Sequence, residues 1–307
     1  RIVYLSMALL MGIGIITTIL SEEPKIIKKK FLSMTQHTKF LFVFVLALLG
    51  FLFLYNFIQN PFNNNEVVYK FIFSTSRIFL CFIFSSLIIY LFVKINFVSR
   101  EQTKKIYFEP INNFTKRYGK FAFYILLLIS LYRIADVVMG VVANIFYLEK
   151  GFDIKEIATY SKFFGVFATI LGGFLGGFFS FKFGTMKSLF FGAVIAAASN
   201  LLFAWLALSE KNILFLITVI TADNISSGFA GAAFVVYLSG LTSIKFTATQ
   251  YALFSSIMLF FPKLIAGYAG SWVDVMGYAN FFTITALLGV PVLLLIIWIS
   301  KIAPVKN

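Results

Sequence analysis

The chain reads as an all-α polytopic membrane protein of about nine spans, and three observations carry that reading. Of its 307 residues 60% are apolar and only 12% are charged, against about 45–50% and about 25% in soluble domains; the mean hydropathy is +0.94. The apolar residues fall into long continuous runs, and about 20 such residues, rising roughly 1.5 Å each, cross the hydrocarbon core as a helix. Lysine and arginine concentrate in alternate connecting segments, as they do when one set of loops is cytoplasmic. Continuous rather than alternating apolar runs exclude a membrane β-barrel.

The runs lie at about 2–20, 40–58, 71–93, 121–147, 157–180, 188–208, 213–242, 248–270 and 279–300. The first has neither a basic leader nor a small-residue cleavage site, so it is not a signal peptide. It gives way at Pro24 to a charged linker. Pro61 with Asn63 to Asn65 ends the second run, and a second basic linker at about 94–120 follows the third. From 121 onward six runs are joined by short loops such as Ser209 to Asn212, and Gly and Ala become more frequent. One set of loops holds Lys25, Lys28, Lys29, Lys30, Lys39, Lys94, Arg100, Lys104, Lys105, Lys116, Arg117, Lys120, Lys182, Lys187, Lys245, Lys301 and Lys306. That makes 17 against 4 in the other set (Lys70, Lys150, Lys155 and Lys211), which places the first set in the cytoplasm. The odd span count then puts residue 1 at the outer surface. Because Arg1 is not methionine, the expectation is a truncated chain whose earlier helices are missing.

The same distribution makes the formal charge of +14 a topology signal and excludes nucleic acid as a partner, since no basic soluble domain is present. A single histidine (His37) and a single cysteine (Cys81) exclude a His- or Cys-rich metal centre and an internal disulfide. Gly12 and Gly14 imitate a dinucleotide loop but lie within a membrane run. No glycine-rich loop ends in Gly-Lys-Ser/Thr and no nucleophile elbow or catalytic histidine pair occurs. The expectation is a protein without metal or cofactor that is not an enzyme. A polytopic enzyme acting on lipid or cell-wall precursors is the weaker alternative, because such enzymes carry acids and histidines in interfacial loops that are short and basic here.

An ionisable side chain near the bilayer centre costs roughly 2.5–3.5 kcal/mol, so Arg77, Arg133, Asp136, Lys162, Asp223 and Lys263 require reasons. Arg77 is about six residues from the outer end of its run and can snorkel; Lys162 is similarly shallow. Arg133, Asp136 and Asp223 lie ten or more residues from either end. Arg133 and Asp136 are three apart on one helix and can touch, and Gly140 and Asn144 continue that face. Asn224, Ser227, Gly228 and Gly231 form a similar stripe beside Asp223. Desolvation favours the neutral form of a carboxyl group and a nearby guanidinium favours the ionised form. Asp223, with no base close in sequence, is therefore the candidate proton carrier, and Asp136 the ion-pair partner. Arg133, Lys162 and Lys263 would give a positive cavity suited to an anionic solute. Gly172, Gly173, Gly176 and Gly177 form two overlapping small-xxx-small pairs, a helix-packing signal that Gly165, Gly267 and Gly270 extend.

The stretches YRIADV (132–137), NIFYLEKG (144–151), SKFFG (161–165), ATILGGFLGG (168–177), SNLLF (199–203), DNISSGFAGAAF (223–234), FTATQYALFSS (246–256) and GSWVDVMGY (270–278), in this order, resemble the carboxyl half of the muropeptide permease (AmpG) family of the major facilitator superfamily. The first run with its Pro-terminated end, ALLMGIGIITTILSEEP, resembles that family's sixth helix. The resemblance covers residues 1–24 and about 119–303. It implies a last helix of an amino-terminal bundle at 1–20, linkers and two inserted membrane helices within 21–120, and a six-helix transport bundle at 121–307. It further implies a proton-coupled importer of anhydromuropeptides, small anionic products of cell-wall turnover, in the bacterial inner membrane. Asp136, Lys162, Asp223, Asn224 and Gln250 match the family's polar motifs. With Arg133, Asn144 and Lys263 they make up the expected substrate site, Asp223 and Asp136 carrying protons. Three departures stand out: Lys263 replaces a more usual arginine, Phe181 replaces a usual acid in the loop at Lys182 to Lys187, and the helices at 40–93 are an insertion. The alternatives are a transporter of another anionic solute and a non-transporting membrane protein.

Overall fold

A computed structural model describes residues 2–21, 34–59, 61 and 67–302, and among these there is no strand. Pro24, Lys25, Lys28, Lys29, Lys30, Asn63 to Asn65 and Lys306, on which parts of the linker and topology expectations rest, lie outside the described residues. The helices are α1 (Ile2–Leu20), α2 (Met34–Phe57), α3 (Val67–Lys94), α4 (Arg100–Thr103), α5 (Glu109–Tyr118), α6 (Ala122–Leu131), α7 (Ile134–Glu149), α8 (Ile154–Ile157), α9 (Gly165–Phe183), α10 (Thr185–Leu208), α11 (Ile213–Leu241), α12 (Thr247–Ala266), α13 (Ala269–Leu287) and α14 (Gly289–Ile302). Eight helical stretches among the described residues are long and apolar enough to cross a membrane, and α1 adds a shorter apolar stretch, Leu5–Leu20. The protein is an all-α, multi-pass membrane protein of about eight to nine spans.

The last crossing begins where the sequence expects it. Gly277, with φ 76° and ψ 163°, separates the short helical stretch that starts at Ala269 from the helix that resumes at Tyr278, one residue from the expected start at 279. Glycine has no Cβ to clash in that backbone region. Gly184 (φ 86°) makes the tight turn between α9 and α10 in the same way. Elsewhere the turns follow local chemistry. The Asn212 side chain accepts from the Phe215 amide at 3.2 Å and caps α11. Asp153 and Glu156 form a capping box at α8, the Asp153 amide donating to Glu156 Oε2 at 2.9 Å.

Residues 122–302 pack around one core. The most extensive contact is α9 with α11; α10 packs on α11, α13 and α14, and α12 on α6 and α7. Phe146, Phe203, Phe281 and Phe282 are buried between α7, α10 and α13. Phe167, Phe174 and Phe178 on the outer face of α9 are exposed; in the bilayer they face lipid, which costs nothing because acyl chains are as apolar as phenylalanine. The α9–α11 contact depends on glycine. A methyl group at Gly172 would meet the Ile225 carbonyl, one at Gly176 the Phe229 carbonyl, and one at Gly228 the Thr169 carbonyl. The backbones therefore touch where any side chain would part them, as the small-xxx-small pattern of α9 predicts. Gly177, the fourth member of that pattern, faces open space.

Helices α2 and α3 pair with each other, and α3 also leans on α12: Phe79 and Phe82 meet Phe260, while Phe71 meets Tyr268 edge-on at 5.0 Å. Arg77 is tied more firmly than snorkelling requires. Its Nη1 donates to the Ile58 carbonyl at 2.8 Å, and its guanidinium lies 3.9 Å from the Tyr55 ring centre. It thus satisfies a free carbonyl at the end of α2 while keeping an aromatic face beneath its charge.

Candidate functional site: a charge cluster in mid-membrane

The span from 122 to 149 is not one continuous helix. It breaks at Tyr132 and Arg133, where Arg133 has φ −96° and ψ 10°, and resumes as α7. No proline or glycine stands at the break, so the cause is not the usual local one. What distinguishes the position is the side chain. Arg133 Nε lies 3.2 Å from Asp136 Oδ2, while Nη1 and Nη2 donate to the Ser227 carbonyl and hydroxyl at 3.3 and 3.2 Å. One guanidinium thus bridges α7 and α11 near the bilayer centre with three of its donor atoms engaged. A Cβ at Gly231 would lie 3.3 Å from Arg133 Nη1, so that glycine makes room for the guanidinium.

Asp223 lies within electrostatic range of the same group and of Tyr147, with no ion pair of its own among the described residues. Sequence spacing shows no base near Asp223; the tertiary structure supplies Arg133. The cluster therefore contains one cation and two carboxylates. The Arg133 and Asp136 side chains keep 20% and 11% of their surface exposed, so the pair sits at an edge rather than sealed in the core. Ser226, one turn along α11, is buried against Ser199 of α10 at 3.2 Å.

Asn224 turns the other way. Adjacent helix positions point about 100° apart, so if Asp223 faces α7 its neighbour faces another helix. Asn224 Nδ2 donates to the Ile220 carbonyl at 2.8 Å, its Oδ1 lies 2.9 Å from Thr169 Oγ1, and it packs directly on Gly165 of α9. Asn144 is exposed on α7, one turn beyond Gly140, which also faces open space. Lys162 is exposed in a π-helical stretch, Ala158–Phe164, that leads into α9; single π-turns of this kind recur at functional positions. Lys263 is exposed after Pro262 near the end of α12. No hydrogen bond or ion pair among the described residues joins Lys162, Lys263 or Asn144 to Arg133. Gln250 stands apart altogether. It is fully buried at the start of α12, where Nε2 donates to the Pro110 carbonyl at 2.8 Å and Oε1 accepts from the Ser243 amide at 2.7 Å. Its amide ties α5 to the α11–α12 turn and is occupied by the chain's own groups.

The structure thus brings Arg133 and Asp136 together with Asp223 nearby, places Asn224 behind them against α9, and leaves Asn144, Lys162, Lys263 and Gln250 outside direct contact. Thr169 and Tyr147 are additions to the expected set. Tyr147 was legible as the next step, three residues on, of the stripe through Asp136, Gly140 and Asn144; Thr169 had no sequence signal.

The fold and this cluster define a multi-pass helical membrane protein with charge held at mid-membrane, a pattern that marks solute or proton paths. No family model matches the chain. It is 33% identical over 207 residues to a Rickettsia conorii protein named "Putative transporter AmpG 4", covering 67% of this chain and 50% of that protein. It is 36% identical over 196 residues to the Rickettsia bellii "Putative transporter AmpG 1", covering 63% and 48%. Against the Rickettsia typhi "Putative transporter AmpG 3" it is 30% identical over 200 residues, covering 64% and 47%. The chain is similar to these AmpG-named proteins and spans about half the length of the curated relatives it matches.

Proposed function

We propose that the chain supplies part of a proton-coupled secondary transporter importing a small anionic solute of the anhydromuropeptide class across the bacterial inner membrane. The observation that carries this reading is the composition of the mid-membrane cluster. With both aspartates ionised, Arg133, Asp136 and Asp223 sum to one negative charge; a proton on one carboxyl group brings the sum to zero. Uncompensated charge in the bilayer costs roughly 2.5–3.5 kcal/mol, so taking up or losing that proton changes which surroundings the cluster tolerates. A cluster able to stand at one open edge when charged and at another when neutral is what coupling a proton to alternating access requires. Asp136, held by Arg133, is the fixed member of the pair; Asp223, less tightly held, is the carrier. Arg133, Asn144, Lys162, Asn224 and Lys263 would then contribute donors for an anionic solute, residues 121–307 forming the transport bundle, 1–20 the last helix of an amino-terminal bundle, and 21–120 the linkers and inserted pair. Gln250, occupied on both sides of its amide, would act by holding the end of that bundle.

The test is uptake of labelled anhydromuropeptide into membrane vesicles carrying the protein, driven by an imposed pH gradient. Dissipating the gradient should abolish accumulation, and Asp223→Asn should leave substrate exchange while removing its dependence on the gradient. Gradient-driven accumulation unchanged by Asp223→Asn would remove that residue from coupling. Accumulation of another anionic solute, but of no muropeptide in a panel, would keep the transport reading and replace the substrate.

A further inference from the structure

At the lysine-rich ends of α2 and α3 the chain builds a cavity that the transport site does not use. After α3 the backbone turns sharply at Asn96, whose φ of 57° is a left-handed conformation that asparagine tolerates better than most side chains. Val98, 4% exposed, anchors the turn, and the chain then enters α4 at Arg100. This turn and the first residues of α2 border a half-open cavity of about 460 Å³ lined by Gln36, Lys39, Asn96, Ser99, Arg100 and Gln102. Lys39 is held on its wall with Nζ 5.2 Å from the centre of the Phe97 ring. Glu101, the one acidic residue of the lining, is paired with Lys105, which leaves Lys39 and Arg100 to set the sign of the cavity.

A narrow apolar crevice of only about 10 Å³ adjoins it. Phe40 and Val98 line both; from there the crevice runs along α2 and α3 between Val43, Phe44, Ile89 and Val93. Cationic and amide donors border the exposed apolar surface of α2, where Leu41 and Phe44 face outward. That border lies at the ends of two spans, at the depth of lipid headgroups. Neighbouring Tyr107, Phe108 and Ile111 are exposed beside Lys104, Lys105 and Lys116, the mixture that lays a helical segment in a membrane interface. Soluble anions need the first half of this arrangement and have no use for the second.

We propose that this site seats an anionic phospholipid of the lysine-rich leaflet, its phosphate between Lys39 and Arg100 and its acyl chains along the exposed apolar surface of α2 at Leu41 and Phe44. The geometry makes the lipid a bridge between the α2–α3 pair and the helical linker that begins at Arg100. Basic side chains near a membrane surface contribute about fivefold each to anionic-lipid affinity, so the two together correspond to about 25-fold.

The experiment uses the full chain in nanodiscs of phosphatidylcholine containing a minor fraction of phosphatidylglycerol, with the lipid retained after detergent exchange counted by native mass spectrometry. One retained phosphatidylglycerol per chain is expected, lost by about 25-fold in the Lys39→Gln/Arg100→Gln double variant. It should be kept in the Lys104→Gln/Lys116→Gln variant, which removes the same charge outside the cavity and leaves the Glu101–Lys105 pair intact. All four side chains are exposed, so both variants keep the fold. Equal loss in the two variants would show diffuse attraction and overturn the site. Retention of phosphatidylcholine as strong as that of phosphatidylglycerol, or displacement of the lipid by inorganic phosphate, would overturn it as well.

Discussion

The Arg133–Asp136 pair, with a second carboxylate nearby, makes a quantitative prediction about stability. Arg133 touches Asp136 at 3.2 Å and lies within electrostatic range of Asp223, and its pair with Asp136 keeps 20% and 11% of its side-chain surface exposed. Breaking a buried pair by removing one partner costs about 3–5 kcal/mol, chiefly through the charge left behind. The partial exposure places this one at the low end, about 3 kcal/mol. For Arg133→Gln that corresponds to about a 150-fold fall in the folded-to-unfolded ratio. The reasoning also predicts non-additivity. In Arg133→Gln/Asp136→Asn one of the two stranded acids is gone, so the double variant should be less harmed than the sum of the singles by about 2 kcal/mol, within the range measured for contacting residues. Asp223→Asn should likewise rescue part of Arg133→Gln, because it removes the second stranded acid. The assay is a mutant cycle read by reversible unfolding in mixed micelles. Additivity to within about 0.5 kcal/mol for both pairs would refute the cluster as a single electrostatic unit.

Other expectations follow from the packing. Gly172→Ala should lower the melting temperature in detergent markedly, since its methyl group would meet the Ile225 carbonyl, while Gly177→Ala should leave it unchanged because that position is open; equal effects would refute the backbone contact of α9 with α11. Gln250→Leu strands the Ser243 amide and frees the Pro110 carbonyl, at about 1–3 kcal/mol for the buried group left unmet, so hydrogen exchange in Glu109–Tyr118 should quicken before exchange in α6 does. Arg77→Met should loosen α2 from α3, and Arg77→Lys should restore little of it, because an ammonium lacks the planar face that lies on Tyr55; full rescue by lysine would point to charge alone.

The fold was largely legible because its governing rule is one-dimensional. Hydrocarbon thickness sets the length of an apolar run, and the runs counted along the chain coincide with the helices to within a few residues over most of their length. The main exception is the run at 121–147, read as one helix, which breaks at Tyr132 and Arg133 with no proline or glycine to announce it. The pairing of Arg133 with Asp136 was legible too, since residues three apart on a helix must be neighbours. The glycine stripe on α9 announced a close contact without saying with which helix.

Composition, run length and the placement of lysines determined on their own that this is a multi-pass helical membrane protein, and short-range spacing marked its buried charges. Only the tertiary structure decided that Arg133 also binds Ser227 on a helix about 90 residues away and comes within electrostatic range of Asp223, that Gln250 is a tie at the bundle's end, and that Lys39 and Arg100 share a cavity. The physical reason is the difference in range. Partition into lipid and helix periodicity act on neighbouring residues and leave their record in the order of the chain. Which side chain meets which across two helices depends on rotation and approach, and these are fixed only when the backbones pack.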